Sequence, residues 1–254
     1  MTFRLLTYNI RKGGVGRVEP IGRVIAARRP DLVLLQEATR PDVVAALAAA
    51  TGMAVWQSFS RQSLAYLSRG PVDHAEWHRP RLSRHAFIEV VPAHVPIRLF
   101  GLHLSAVHAA WTERRRVVEL RSLLRSISAH QHGFHVLAGD FNTLAPDAVL
   151  RAGRLPPRLR PLVWLSGGRI KWRTIQAVLD AGYSDGFRAL HPDDPGMTMP
   201  VWDPHVRLDY VFVPRAFQDR MVACEVVRGG DALTASDHFP VVADFVIDAE
   251  SPRS

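Results

Sequence analysis

Short apolar runs alternate with segments of helical period along most of this chain. FRLLTYNI (3–10) and DLVLLQE (31–37) are near-continuous apolar runs of strand length. Between them, PIGRVIAARRP (20–30) repeats Ile21, Val24 and Ile25 at the spacing of one helix face. AVWQSFS (54–60) and SLAYLSRG (63–70) read as a pair of strands, as do HAFIEVVPA (85–93) and IRLFGLHLS (97–105). The clearest helix is predicted from Arg114 to His130, with Val117, Leu120, Leu124 and Ile127 in one stripe and arginines opposite. In that reading the Arg114–Arg116 triplet is the solvated start of the helix. FHVLAGDFN (134–142) follows as a strand, IQAVLDAGY (175–183) as a helix, and VRLDYVFVP (206–214) and FPVVADFVI (239–247) as strands. This alternation predicts a layered α/β domain. No internal repeat or long linker interrupts it, so one domain over 1–254 is expected, with a less regular insertion at 151–173.

The polar residues fall in a second pattern, at the ends of those runs. Asn9 closes the first, Gln36 and Glu37 the second, and His103 lies near the end of IRLFGLHLS. Asp140 and Asn142 follow HVLAG, Asp209 interrupts VRLDYVFV, and Asp237 and His238 precede the last strand. In layered α/β folds, ligands gather outside strand ends, where rigid elements present side chains into a crevice. Taken singly, Asn9 fits a strand-end cap, Asp140 with Asn142 an Asx turn, and His103 a satisfied strand histidine. Asp209 within an apolar run requires a buried partner, and His238 is the best one. Gln36 reads as a structural hydrogen-bond donor.

Together these residues suit metal-assisted phosphoester hydrolysis. Carboxylate and amide oxygens are hard ligands for Mg²⁺ or Mn²⁺, and a histidine backed by an aspartate is a general base for a water. No Cys/His group has zinc spacing. The single cysteine, Cys224, excludes an internal disulfide, and no apolar window is long enough to cross a bilayer. The opening residues lack a charged segment followed by an apolar stretch, so a soluble, cytoplasmic protein is expected. Basic residues outnumber acidic ones 32 to 24, a formal charge of +8, and Lys12 and Lys171 are the only lysines. Arginine forks match phosphate oxygens bidentately, which favours a polyanionic partner. Arginine used for ordinary solubility explains the same composition.

In order along the chain, TYNI, LQE, GLHLS, GDFN, RLDYVFV and SDHFPV resemble the motif set of the endonuclease/exonuclease/phosphatase superfamily, the DNase I-like fold. Each motif is short, and the signal lies in all six occurring in register between residues 7 and 241. The resemblance implies a four-layer α/β sandwich, two packed mixed β-sheets flanked by helices. It implies that Glu37, with Asn9 and Asp237, holds a catalytic Mg²⁺ or Mn²⁺. His238 would be the base, or the group stabilising phosphate charge, oriented by Asp209. Asp140 would position the attacking water, Asn142 would bond the phosphate or a second metal, and His103 would contact the scissile phosphate.

The expected activity is hydrolysis of a phosphodiester by in-line attack of water, with nucleic acid the first choice of substrate. RQSLAYLSRGPV (61–72) also resembles a strand shared by phosphatase, phospholipase and nuclease branches, so a phospholipid or small phosphorylated molecule is the alternative. A non-catalytic binding module is disfavoured because every motif position holds a competent residue. Arg84 could face substrate phosphate or form a surface ion pair. GGVG (13–16) lacks the following helix pattern of a dinucleotide fingerprint and reads as a flexible loop beside the site. Segment 151–173 has no acidic residue, interleaves Trp164 and Trp172 with arginines, and is broken by Pro156, Pro157, Pro161 and Gly167–Gly168. Base stacking, a membrane interface and simple packing on the core all remain open for it.

Overall fold

The computed structural model describes residues 1–248 apart from Leu82, Gln131, Asp147, Val149, Pro156, Gly168 and Arg169. Among the described residues, twelve strands form two six-stranded sheets. The first sheet contains β1 (Thr2–Asn9), β2 (Leu32–Gln36), β3 (Val55–Gln57), β4 (Leu64–Ser68), β11 (Met221–Val226) and β12 (Val241–Val246), in the order β11-β12-β1-β2-β4-β3. The second contains β5 (Val72–His78), β6 (Phe87–Pro92), β7 (Arg98–His103), β8 (His135–Asp140), β9 (Tyr183–Asp185) and β10 (Asp209–Pro214), in the order β5-β6-β7-β8-β10-β9. Each sheet has one parallel pair, β1–β2 and β7–β8, among antiparallel neighbours.

The layers follow from which faces are apolar. Leu5, Leu32 and Leu34 of one sheet pack against Ile88, Leu99 and Val136 of the other, forming the inter-sheet core. Helices α1 (Val18–Arg28) and α2 (Pro41–Thr51) cover the first sheet through Ile21, Ile25, Val44 and Leu47. Helix α3 (Ala110–Ser126) covers the second through Leu120, Leu123 and Leu124. Near α3 lie α4 (Arg160–Leu165) and α5 (Thr174–Asp180); α6 (Gly186–Leu190) and α7 (Ala232–Ala235) are short. Central strands buried on both faces read as continuous apolar runs, which is why β1, β2, β8 and β10 are visible in sequence. The result is the expected four-layer sandwich.

Several boundaries and one face differ from expectation. The long helix begins at Ala110 and ends at Ser126, with a 3₁₀ turn over Ser128–His130. Its inward stripe includes Glu113, Arg116 and Glu119. Arg116 is therefore not solvated: it is wholly buried, and Val117 is only half-buried. The guanidinium bonds Glu113 and the carbonyls of Ser105 and Val107, so a charged residue occupies a core position by finding every partner it needs. Tyr183 leaves the predicted helix to start β9. β10 starts at Asp209 and β12 at Val241, so Asp209 does not interrupt a strand and Asp237 and His238 sit in a turn. Strands β5 and β11 and helix α2 were not anticipated; β5 and β11 are edge strands with mixed burial, so neither carries a strong apolar period.

Segment 151–173 contains 3₁₀ turns at Ala152–Arg154 and Pro157–Leu159 followed by α4. Pro156 and Gly168 lie outside the described residues. Trp172 packs with Leu144, Val206 and Leu208, whereas Trp164 is 76% exposed.

Candidate active site

Strand register explains why polar residues far apart in sequence meet. Parallel β7 and β8 set His103 beside Asp140, and antiparallel β10 sets Asp209 beside Asp140 on the other side. In the other sheet, Asn9 pairs in register with Gln36, and Gln36 with Leu64. Glu37 and Ser63 therefore flank the same end, and the turn carrying Asp237 and His238 enters β12 there, where Val241 faces Thr7. Asn9 bridges the sheets: its Nδ2 donates to Asp140 Oδ2 at 2.9 Å and to Glu37 Oε1 at 3.4 Å.

Unusual backbone holds these groups. Arg11, Lys12, Gly13 and Gly14 all have left-handed φ, 49°, 48°, 71° and 67°. That path lets the Lys12 amide donate to Glu37 Oε2 at 2.5 Å, the Gly13 amide to the Glu37 carbonyl at 2.9 Å and the Arg11 amide to Asn9 Oδ1 at 2.9 Å. Glu37 and Asn142 are themselves left-handed, at φ 55° and 52°. Non-glycine residues stay there only when their surroundings over-determine them, and such residues cluster at functional sites. The GGVG loop does lie beside the site, but it is pinned by these hydrogen bonds rather than loose.

The charges are arranged in opposed pairs. His238 Nδ1 lies 2.9 Å from Asp209 Oδ2, with both side chains buried. Burial alone would push the imidazole down, but Asp209, then Asp140 and Asp237, outweigh it and push it up to about 10. Asp140 receives the Asn142 amide on Oδ1 at 2.8 Å and the Asn9 amide on Oδ2. Its burial raises its proton affinity, and the nearby His238 only partly offsets this. Asp237 diverges from His238, as expected for neighbours with separate partners, and meets Arg11 Nε at 3.2 Å. One ligand atom each from Asp140, Asp209 and His238 lies within 4.8 Å of the others, a set able to hold a metal ion.

His103 stands 3.8 Å from Asp140 Oδ2 through Nε2, and its Nδ1 bonds Ser63 Oγ. Asn142 Nδ2 donates to the Leu104 carbonyl at 3.0 Å, so the amide braces the loop after β7. Gln36 donates to Thr7 Oγ1 and the Leu34 carbonyl, a structural role as read. Arg84 is exposed, next in sequence to His85, whose ring lies 6.1 Å from that of His103. Sequence reasoning missed Ser63, Arg11 and Ser236, whose Oγ donates to the Asn9 carbonyl at 2.7 Å. The antiparallel pairing of SLAYLSRG with DLVLLQE is the signal that could have found Ser63.

A family model described as Endonuclease/Exonuclease/phosphatase family matches residues 6–238. Comparison with curated protein sequences finds no match. Among solved structures, the chain is similar to the 3′ phosphatase NExo from Neisseria bound to product DNA hairpin, at TM-score 0.72 and 22% identity, covering 96% of this chain and 99% of that one. It is likewise similar to an AP endonuclease from Archaeoglobus fulgidus, at TM-score 0.72 and 18% identity, with the same coverage. Humanized D. rerio TDP2 superposes at TM-score 0.67 and 16% identity, again covering 96% and 99%. With a family match over nearly its whole length and the same sandwich in these neighbours, the chain belongs to the Endonuclease/Exonuclease/phosphatase family and is a phosphoesterase hydrolase.

Proposed function

We propose that this chain hydrolyses a phosphodiester of nucleic acid by in-line attack of water, assisted by Mg²⁺ or Mn²⁺. The observation that carries the reading is the buried Asp209–His238 pair set beside Asp140 where the two sheets meet. The donor set fits a hard cation, because Glu37, Asp140 and Asp237 offer carboxylate oxygens and no thiolate, and Asn9 would add its amide oxygen once the carboxamide turns over. Glu37, with Asn9 and Asp237, would hold it, while His238 Nδ1 is engaged by Asp209. When bound, the cation supplies Lewis-acid polarisation of a phosphoryl oxygen.

The chain's own groups divide the remaining work. Asp140, fixed through both oxygens and more basic through burial, orients the water and accepts its proton. His238 gives Nδ1 to Asp209, which leaves Nε2 for the phosphate oxygens, where a positive charge is most useful. His103, braced by Ser63, adds a second imidazole beside Asp140.

Nucleic acid is favoured by charge near the site. A cleft of about 460 Å³ is lined by Arg151, Arg154, Arg188 and His205, and it also includes Leu144, two residues after Asn142, and Tyr210, next to Asp209. A phospholipid or small phosphoester is the second reading, and a specific observation favours it. Trp164 and Leu165 are 76% and 65% exposed, and Ser166 Oγ accepts the Ala110 amide, which brings them to the end of α3 that carries exposed Trp111. Interfacial segments present such side chains.

Hydrolysis of bis-p-nitrophenyl phosphate with Mg²⁺ or Mn²⁺, in wild type, Glu37→Ala and His238→Ala, tests the chemistry; equal rates in all three would sink it. Plasmid DNA, single-stranded DNA, RNA, sphingomyelin and inositol phosphates, each with metal and with EDTA, then separate the substrates. Turnover of nucleic acid alone, with binding that weakens steeply with salt, is expected. Turnover of sphingomyelin alone would overturn the nucleic-acid assignment.

A further inference from the structure

The edge strand β5 carries a second group of metal-ligating side chains, on a different strand from every residue of the active site. His74, Glu76 and His78 alternate along it, so all three project from one face. Ala75 and Trp77 between them pack into the inter-sheet core. Pairing with β6 slips between Val72 and His74, a bulge that re-aims the strand where the histidines begin. His74 Nε2 lies 3.5 Å from Glu76 Oε2, and His78 Nδ1 lies 3.6 Å from Glu76 Oε1. One ligand atom from each residue lies within 4.8 Å of the others.

The surroundings point the same way. Glu89 on β6 stands directly opposite Glu76, and two carboxylates placed so repel one another unless a cation intervenes. Arg98 answers Glu89 from β7. Glu76 has only the two imidazoles for company among the described residues. Glu89 is buried, and its Oε2 lies 2.6 Å from His78 Nε2. His78 is thus gripped at both ring nitrogens, Nε2 by Glu89 and Nδ1 by Glu76. A carboxylate that takes one imidazole N–H and leaves the other nitrogen free for metal is the usual outer partner of a histidine ligand.

We propose that His74 Nε2, Glu76 and His78 Nδ1 bind Zn²⁺ at the β5 edge, with Glu89 holding the His78 ring. Ligand atoms around a tetrahedral zinc stand roughly 3.4 Å apart, given Zn–N distances near 2.0–2.1 Å. The spacings to Glu76 already have that size, so small side-chain rotations complete the site. Two imidazoles and one carboxylate suit zinc better than Mg²⁺, which prefers an all-oxygen set. The site therefore selects a different ion from the catalytic centre. Bound there, zinc neutralises the Glu76–Glu89 repulsion and fastens the outermost strand of its sheet. Three protein ligands leave the fourth position for water.

The test uses the untagged full-length protein, stripped with EDTA and dialysed into buffer containing excess Mg²⁺. Calorimetric titration with Zn²⁺ is expected to give one site per chain with Kd at or below about 10 μM. His74→Ala and His78→Ala are each expected to weaken it at least tenfold, and Glu89→Gln by about 10–100-fold. Glu37→Gln should leave it unchanged, and the Mg²⁺-dependent activity of His74→Ala should equal that of wild type. Co²⁺ in place of Zn²⁺ should give visible absorption that disappears in His74→Ala, whose circular dichroism reports that it is folded. Binding weaker than about 10 μM, binding indifferent to His74→Ala and His78→Ala, or binding lost in Glu37→Gln would each overturn the proposal.

Discussion

His238 Nδ1 meets Asp209 Oδ2 at 2.9 Å across the joint between the last turn and β10, and both side chains are buried. Burial by itself would disfavour the charged imidazole; Asp209, Asp140 and Asp237 prevail and push it up to about 10. Because this lies above the ordinary value near 6.5, the pair's stabilisation is fully present below about pH 6.5 and is lost as pH rises towards 10. Asp209→Asn removes the main cause, so its alkaline loss of activity should begin at lower pH than in wild type. At neutral pH its kcat should fall about 10²–10⁴-fold. Rates measured from pH 6 to 10 check both, and coincident profiles would contradict the assigned pairing.

Glu37 is expected to govern metal use. The Lys12 and Gly13 amides fix its carboxylate and backbone, and it shares the Asn9 amide with Asp140. Glu37→Gln keeps the shape and removes the charge. Its activity on bis-p-nitrophenyl phosphate should fall at least about 100-fold, with half-saturation shifted to higher Mg²⁺. EDTA should abolish wild-type activity and added Mn²⁺ restore it. A variant with the wild-type Mg²⁺ titration curve would remove Glu37 from the metal site.

The centre of this molecule is legible in sequence and its periphery is not. Asn9, Glu37, His103, Asp140 and Asp209 each end or begin an apolar run, and a strand buried on both faces makes such a run conspicuous. The pairing that brings them together is non-local, so no single run discloses that Asn9 touches Asp140. Charge periodicity points Arg116 to solvent, whereas Glu113 and two carbonyls make the core a suitable place for it. Edge strand β5 was missed for a related reason: its outward positions hold His74, Glu76 and His78, which blur any apolar pattern.

The Glu113–Arg116 pair should be a principal determinant of stability. Glu113 Oε1 accepts from the Arg173 and Thr174 amides at 2.7 and 2.8 Å, while Oε2 accepts from Arg116 and from Thr143, which follows Asn142. Removing one partner of a buried pair strands the other, so Arg116→Met should cost about 3 kcal/mol or more. For a chain of this size that lowers Tm by roughly 6–12 °C. Burial would raise the Glu113 carboxyl, but Arg116, Thr143 and the two amides hold it below its ordinary value. Its contribution is present above pH 4.5 or so and lost as pH falls through the lowered value. In Arg116→Met the acid unfolding transition should therefore move to higher pH. An unchanged Tm, measured by calorimetry, would show the pair to be expendable.

Gly139 precedes Asp140 on β8 and is expected to set the alignment of its carboxylate. It pairs with Leu102 one step before His103 meets Asp140, and its φ of 144° suits glycine. A Cβ there would lie 2.0 Å from the Leu102 carbonyl oxygen, so the clash is with backbone that has no rotamer to change. Gly139→Ala must push β7 from β8 at the point where His103 and Asp140 stand together. A displacement of about 1 Å in a catalytic group costs about 10²-fold in rate, and the backbone strain about 1–3 kcal/mol. Gly153→Ala is the matched control, since a Cβ at Gly153 meets nothing within 4 Å; it should lie within about 0.5 kcal/mol of wild type and keep full activity. Urea unfolding and bis-p-nitrophenyl phosphate turnover of the two variants decide the matter. If Gly139→Ala behaves like Gly153→Ala, the β7–β8 contact does not position Asp140.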